Sequence, residues 1–410
     1  MWILQGFARY VFLIGLITYL LFGCSTPSTP KISPLPPSKQ STVKQSTVTL
    51  TKIWQTSLPG LISNPPITIN NGSHLLVAHA SGIQQYKTTT GAVVWRSNIG
   101  AVQSALAISS DERTLVAWLK NGEVTALNTA TGKALWRKAL PIESRIAPIL
   151  LENSVIILTT DGRVIALNVA TGDRIWSLFR VVPALSLQLS GAMIAINATT
   201  VIIGFPGGKM MALKAATGEV IWEDKLSITQ GVNEIERIAD ILPNWLLVPK
   251  LGVCATVYLQ SVVCINDRGQ TTYQHATHSN VGLIASSQYW FSLSDSNHLK
   301  AWLFEPKKTI NPSNFSNAVA NTPPTWSFES LKLPNMGHRL LALATNEQYL
   351  LTIDSKGTLY VLSPSTGVKL TETKLGFSPK NNVLLSPIMV NAVSSVVVTS
   401  NQYLSLWSLQ

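Results

Sequence analysis

An all-β fold, an eight-bladed β-propeller of four-stranded antiparallel blades, is what this sequence predicts, on three observations. The stretches VTALNTATGKALW (124–136), VIALNVATGDRIW (164–176) and MMALKAATGEVIW (210–222) are one unit written three times. The tryptophans at 54, 95, 136, 176 and 222 recur at intervals of 41, 41, 40 and 46 residues, which is blade length. The chain ends are each half a repeat: TKIWQTSL (51–58) reads as an outer strand with no hairpin before it, and QYLSLWSLQ (402–410) as a hairpin strand with no Thr-Gly-Trp unit after it.

Each unit contains two short strands around a tight turn. Alternation in Val-Thr-Ala-Leu-Asn predicts one strand and Ala-Leu-Trp the next. Thr-Gly between them supplies a glycine that takes positive φ without steric cost. Upstream lies a second hairpin, for example Ser154–Thr160, Asp161-Gly162 and Arg163–Asn168, so each repeat makes four strands. The tryptophan is expected to wedge between neighbouring blades, where its large apolar area is buried. A fourth copy ends at Trp95, and weaker turn signals follow at Arg268-Gly269 and Thr366-Gly367. Seven blades are therefore expected to end at Trp95, Trp136, Trp176, Trp222, Tyr273, Trp326 and Leu370, the fifth and sixth being degenerate. The two chain ends complete an eighth, closing the ring and removing free sheet edges.

Three segments follow from this. Residues 1–23 have a weakly basic start at Arg9, an apolar run from Tyr10 to Leu21 too short for a comfortable membrane span, and Gly23 before Cys24. Residues 24–48 are rich in Ser, Thr, Pro, Lys and Gln and read as a flexible tether. Residues 49–410 form the propeller. Leu21-Phe22-Gly23-Cys24 resembles a bacterial lipobox, with Cys24 as the lipid-modified residue, although Phe22 departs from the small residue usual there. The resemblance favours lipidation over an ordinary signal peptide or an uncleaved anchor. Ser25 after the cysteine resembles the signal for sorting to the outer membrane of Gram-negative bacteria.

Only 12% of residues are charged and 46% are hydrophobic, as expected where most strands are buried on both faces. Without residues 1–23 the chain carries 30 Lys+Arg against 20 Asp+Glu. The basic residues are scattered with no basic-aromatic motif, which argues against nucleic acid and leaves an anionic membrane surface or acidic partner. Cys254 and Cys264 lie in GVCATVYLQSVVCIND, a hairpin whose turn falls near Tyr258–Gln260, so strand pairing sets them nearly opposite. A cross-strand disulfide suits an oxidising compartment, two buried free thiols fit the same positions, and the sequence leaves both open.

The A-x-T-G-x-x-x-W units resemble the repeats of quinoprotein dehydrogenase propellers, a likeness shared by quinone-dependent enzymes and non-enzymatic scaffolds. Two further stretches separate them. VPALSLQLSGAMI (182–194) follows the Trp176 unit, and GVNEIERIADI (231–241) follows the Trp222 unit. Both are similar to segments at the same repeat positions in the outer-membrane protein assembly factors of the BamB family. The resemblance implies a lipid-anchored scaffold on the periplasmic face of the outer membrane. It would bind a periplasmic domain of BamA alongside other assembly-machinery lipoproteins, with no cofactor. By position, Leu185 and Leu187 would supply an apolar anchor, and Glu234, Glu236, Arg237 and Asp240 would supply or brace a polar rim. Each also has a purely structural role open to it: the leucines as cover for the core, Glu236 and Arg237 as an internal staple. Gln188 stands where the family has arginine, losing a planar fork of donors, and Leu242 stands where an acid is expected.

A quinoprotein dehydrogenase needs a Ca²⁺ site of Glu, Asn and Asp oxygens and a catalytic carboxylate, and commonly a vicinal Cys-Cys pair. The sequence has no Cys-Cys, few acids near the strand starts that would line the funnel, and no Ser-His-Asp, HExxH or phosphate-loop pattern. His275 and His278 are the nearest thing to a ligand pair. No active site and no metal site are expected. A third class, a propeller that binds nascent outer-membrane proteins through a strand edge or apolar groove, is compatible with scaffold work. The Asn/Pro/Ser-rich insert at 304–326 reads as a surface loop.

Overall fold

Each repeat folds as four antiparallel strands in chain order, and eight such sheets make up the β-propeller. The computed structural model describes residues 48–410 apart from 63, 141, 152, 184, 188–190, 227–237, 278, 280–281, 294–297, 305–323, 330–339, 378–382, 391–392 and 401–402. Blades 1 to 7 span residues 67–97, 107–139, 149–179, 192–225, 246–276, 284–329 and 340–374. The closing blade joins both ends of the domain. Leu50–Ser57 is its outer strand and pairs with Tyr403–Leu409, beyond which lie Val393–Ser400 and Val383–Val390. Most of the 304–326 insert lies outside the described residues.

The hydrophobic core is distributed over the ring. Eight clusters of buried apolar residues occupy the eight interfaces, such as Leu76, Ile83, Leu115 and Leu127 between blades 1 and 2. This explains the apolar runs in the middle strands, which bury both faces: Val155, Ile156 and Ile157 are all essentially inaccessible. Outer strands instead alternate between buried and exposed residues.

The repeat motif is an inter-blade latch. In each regular blade the outer strand carries a bulge one residue before the tryptophan, at Val94, Leu135, Ile175 and Ile221, and the tryptophan then turns toward the next blade. There its Nε1–H donates to a carbonyl at the start of the next blade's glycine turn. Trp54 reaches Thr88 at 2.6 Å, Trp95 reaches Thr129 at 3.0 Å and Trp136 reaches Val169 at 2.7 Å. Trp176, Trp222 and Trp326 do the same to Ala215, Asp267 and Pro364 at 2.9, 2.8 and 2.8 Å. The indole lies flat on the turn glycine. A Cβ on Gly132, whose φ is +68°, would sit 2.4 Å from the Trp95 ring. Glycine is thus required there twice over, for its dihedral and for its missing side chain.

Two interfaces lack the latch. In blade 7 the bulge falls on Leu370, so Thr371, not Leu370, stands opposite Val361 at the tryptophan's place. Trp407 of the closing blade, 5% exposed, joins the aliphatic cluster of that interface from the other side. In blade 5, Tyr273 stands opposite Cys264, and its hydroxyl accepts the Nε1–H of Trp290 from blade 6 at 2.9 Å. Trp290 stacks on Trp302 with centroids 4.2 Å apart, and the His275 ring meets their faces at 5.1 and 5.4 Å. His278 lies outside the described residues. Cys254 and Cys264 are directly opposed in the hairpin and joined by a disulfide, whose Cα atoms are 4.0 Å apart; both residues are fully buried.

Candidate functional site

Strands alternate in direction within a blade, so the connection leaving each outer strand and the turn between the two middle strands lie at the same end. The connections from blade 3 to blade 4 (180–191) and from blade 4 to blade 5 (226–245) therefore share one face of the ring with the turn at Pro206-Gly207-Gly208. These two connections carry the stretches singled out in the sequence.

Asp240 joins them. It is 1% exposed, and its carboxylate accepts the Leu187 backbone N–H at 2.5 Å on one oxygen and the Gly207 N–H at 2.6 Å on the other. Its own carbonyl accepts from the Tyr258 N–H at 2.9 Å. Hydrogen bonds to a charged acceptor are worth about 1.5–3 kcal/mol each, so this one carboxylate fixes three loops against each other. Asp240 is accordingly a brace beneath the surface and not part of an exposed rim. Beside it Pro183 packs against Gly207, where a Cβ would lie 2.8 Å from the proline Cγ.

With its backbone held this way, the connection presents Leu185 outward, 44% exposed. Leu187 is half-buried and lines a cavity of about 260 Å³ together with Glu143, Arg145, Ile146, Leu158 and Pro206. The mouth of that cavity is polar: Arg145 holds Glu143 through Nε at 3.0 Å, and Gln103 donates to the same carboxylate at 3.1 Å. Cys24, Gln188, Glu234, Glu236 and Arg237 lie outside the described residues. Leu242 is 5% exposed, its N–H donates to Thr256, and its carbonyl accepts the Trp245 Nε1–H at 2.9 Å. In this chain Leu242 is therefore core, and an acid at that place would be buried rather than offered to a partner.

Two further exposed apolar side chains were not singled out by sequence. Phe179, 54% exposed with the Arg163 guanidinium over its ring, and Val181, 75% exposed, lead into the same connection as Leu185. A signal existed: Phe179 follows its tryptophan by three residues, where the neighbouring blades have Ala139 and Lys225. The arrangement offers apolar knobs on a braced loop beside a polar cavity, which is the composition of a binding surface. Among the described residues no group of three or more His, Cys, Asp or Glu side chains could hold a metal ion.

A family model described as outer membrane protein assembly factor BamB matches residues 51–307, more than half of the chain. The chain belongs to the BamB family. It is 27% identical over 334 residues to the outer membrane protein assembly factor BamB of Bordetella pertussis, an alignment spanning 80% of this chain and 79% of that one. The crystal structure of BamB from Moraxella catarrhalis superposes with a TM-score of 0.70 at 19% identity, covering 88% of this chain and all of that one. The quinohemoprotein alcohol dehydrogenase of Comamonas testosteroni superposes at 0.59 with 13% identity, covering 88% of this chain and 76% of that chain. At such identities the structural likenesses speak for the propeller alone; it is the family model that separates assembly factors from dehydrogenases.

Proposed function

We propose that this protein is a non-catalytic scaffold for assembly of outer-membrane β-barrel proteins. A lipid on Cys24 holds it at the periplasmic face of the outer membrane, and its segments 182–194 and 231–241 dock on a periplasmic domain of BamA. The observation that carries this reading is the Asp240 carboxylate. It ties the two family-like segments together across 53 residues of chain and leaves Leu185 facing solvent. A buried charge spent on loop geometry is well suited to pre-organising a contact, because ordering a loop only on binding would cost affinity. Leu185 and Leu187 act as the apolar anchor, and Gln188, Glu234, Glu236 and Arg237 are assigned to the rim by position. With glutamine at 188, the contact leans more on apolar burial than on charge.

Co-purification from detergent-solubilised envelopes tests this. The tagged protein is expected to bring down BamA and companion lipoproteins, and Leu185→Ala combined with Leu187→Ala is expected to abolish BamA recovery. Because Leu185 is exposed, Leu185→Ala alone should weaken recovery with the melting temperature nearly unchanged. Undiminished BamA recovery by the double variant would move the contact elsewhere. Absence of BamA with the intact, membrane-bound protein would overturn the scaffold reading itself. Cys24→Ala is expected to release the protein from the membrane fraction.

A further inference from the structure

The interface between the closing blade and blade 1 contains a polar pocket that the propeller does not need. Alternation places Val77, Gln84, Tyr86 and Arg96 on the side of blade 1 that faces the closing blade, and His79 continues that side. Strand register matches Gln84 and Tyr86 with Thr125 and Leu127, Ile165 and Leu167, and Met211 and Leu213 of the next three blades. Blade 1 thus places Gln84, Tyr86 and His79, which are 4%, 1% and 3% exposed, in a row where the next three blades carry aliphatic, methionine or phenylalanine side chains and only the smaller hydroxyls of Thr125 and Thr159. Burying polar groups where the fold elsewhere uses aliphatic ones is unfavourable unless something answers their hydrogen-bonding capacity.

The answer within the chain is incomplete. The Tyr86 hydroxyl donates to Gln84 Oε1. His79 Nδ1 accepts the Ser81 N–H at 3.1 Å, which leaves the ring's proton on Nε2, and that buried N–H has no partner. Burial also lowers the His79 pKa, so the ring is a neutral donor near neutral pH. These groups line one cavity of about 370 Å³ with Ser57, Asn98 and Arg96. Among the described residues Arg96 has no acid within ion-pair distance, and no carboxylate lines the cavity. Arg96 is close enough for its charge to oppose the upward push of burial on the Tyr86 hydroxyl. Leu58, Pro59 and Val93 give the cavity an apolar wall. The volume falls within the range of small-molecule sites, roughly 300–1,000 Å³.

We propose that this pocket binds an oxyanion, a carboxylate or phosphate carried on a small apolar group, with Arg96 supplying the charge and the His79 Nε2–H a directed hydrogen bond. An anion completes both: it pairs the arginine and accepts from the orphaned donor. The pocket lies in a different inter-blade interface from the Leu185 loop, so occupancy of one site does not presuppose the other.

Calorimetric titration of the full-length protein in detergent with benzoate, benzamide and inorganic phosphate tests this. Saturable benzoate binding is expected, with benzamide, the neutral isostere, at least tenfold weaker. Phosphate binding as tightly as benzoate would identify a phosphate-bearing ligand, and a benzoate preference a carboxylate on an apolar body; both uphold an oxyanion site. Arg96→Gln should weaken binding at least tenfold. His79→Leu, which installs the residue blade 2 carries as Leu119, should weaken it while the protein remains folded, as read by its melting temperature. No saturable binding of either anion, or binding unchanged in both folded variants, overturns the proposal.

Discussion

The interfaces between blades 2 and 3 and between blades 5 and 6 solve one packing problem with different chemistry. In the first, a row of Val116, Ala126 and Trp136 crosses the blade, and the indole locks onto Gly172 and the Val169 carbonyl next door. In the second, the matching row is Cys254, Cys264 and Tyr273. The small alanine beneath the indole is replaced by one end of a disulfide. The latch is replaced by an aromatic cluster of Tyr273, Phe304, His275, Trp290 and Trp302. The latch works through one shape-matched pair in which each partner is indispensable. The cluster spreads the same work over several side chains plus a covalent bond within the blade. Loss should therefore be concentrated at a latch and diluted in the cluster.

Breaking a latch is expected to have the largest effect. Trp136→Ala should destabilise the domain by about 3–5 kcal/mol, the cost of truncating a buried aromatic. Thr371→Ala, at the same place in a blade without a latch, should stay within about 0.5 kcal/mol. Denaturant midpoints of the two variants measure the contrast directly. Converting blade 5 to the regular row, Cys254→Val with Cys264→Ala, should cost about 2 kcal/mol under oxidising conditions, since a short disulfide loop is lost. The same pair should be nearly neutral when the wild type is compared in reductant. Tyr273→Phe should cost about 1–2 kcal/mol, because it leaves the buried Trp290 N–H without its acceptor. The smallest effect belongs to His79. Its pKa in the folded protein lies below the ordinary 6.5, so the unfolded chain binds protons first. Stability is complete above about pH 7 and declines as pH falls through 6.5 toward the lowered value. His79→Leu should flatten that decline in melting temperature, with Tyr86 and Arg96, the other titratable or charged groups lining the pocket, left in place.

Much of this was legible in the sequence because the latch is local in its spelling. Glycine and tryptophan stand four residues apart in one motif, so the periodicity announced the blades, their number and the shared closing sheet. What could not be read is that the two residues of a motif serve opposite interfaces. Each indole reaches a carbonyl 33 to 45 residues away, a relation invisible within any one unit. Blade 7, whose end the sequence marks at Leu370, shows the same limit. A bulge shifts side-chain alternation by one, so Leu370 carried the apolar signal while Thr371 took the position. At the loops, family-like spelling located the segments but not the depth of each side chain. For Asp240 the sequence left supplying the rim and bracing it both open, because irregular connections have no period from which burial can be inferred. Leu242 looked like a missing surface charge for the same reason. The pocket in blade 1 was spelled out in IQQYK, a polar copy of an apolar unit, yet its significance depended on knowing which face the closing blade covers.

The closing blade also imposes a schedule. Its outer strand, Leu50–Ser57, is made first and its partner, Tyr403–Leu409, last, so the chain must hold one half of a clasp open while seven sheets form between the two halves. Until then both ends of the arc expose apolar faces and unpaired backbone, and the contact that ends this exposure is among the most distant in sequence that the molecule makes. A chain without Tyr403–Leu409 leaves Leu50–Ser57 with no strand to pair with, and the sheet that joins the two ends of the arc cannot form.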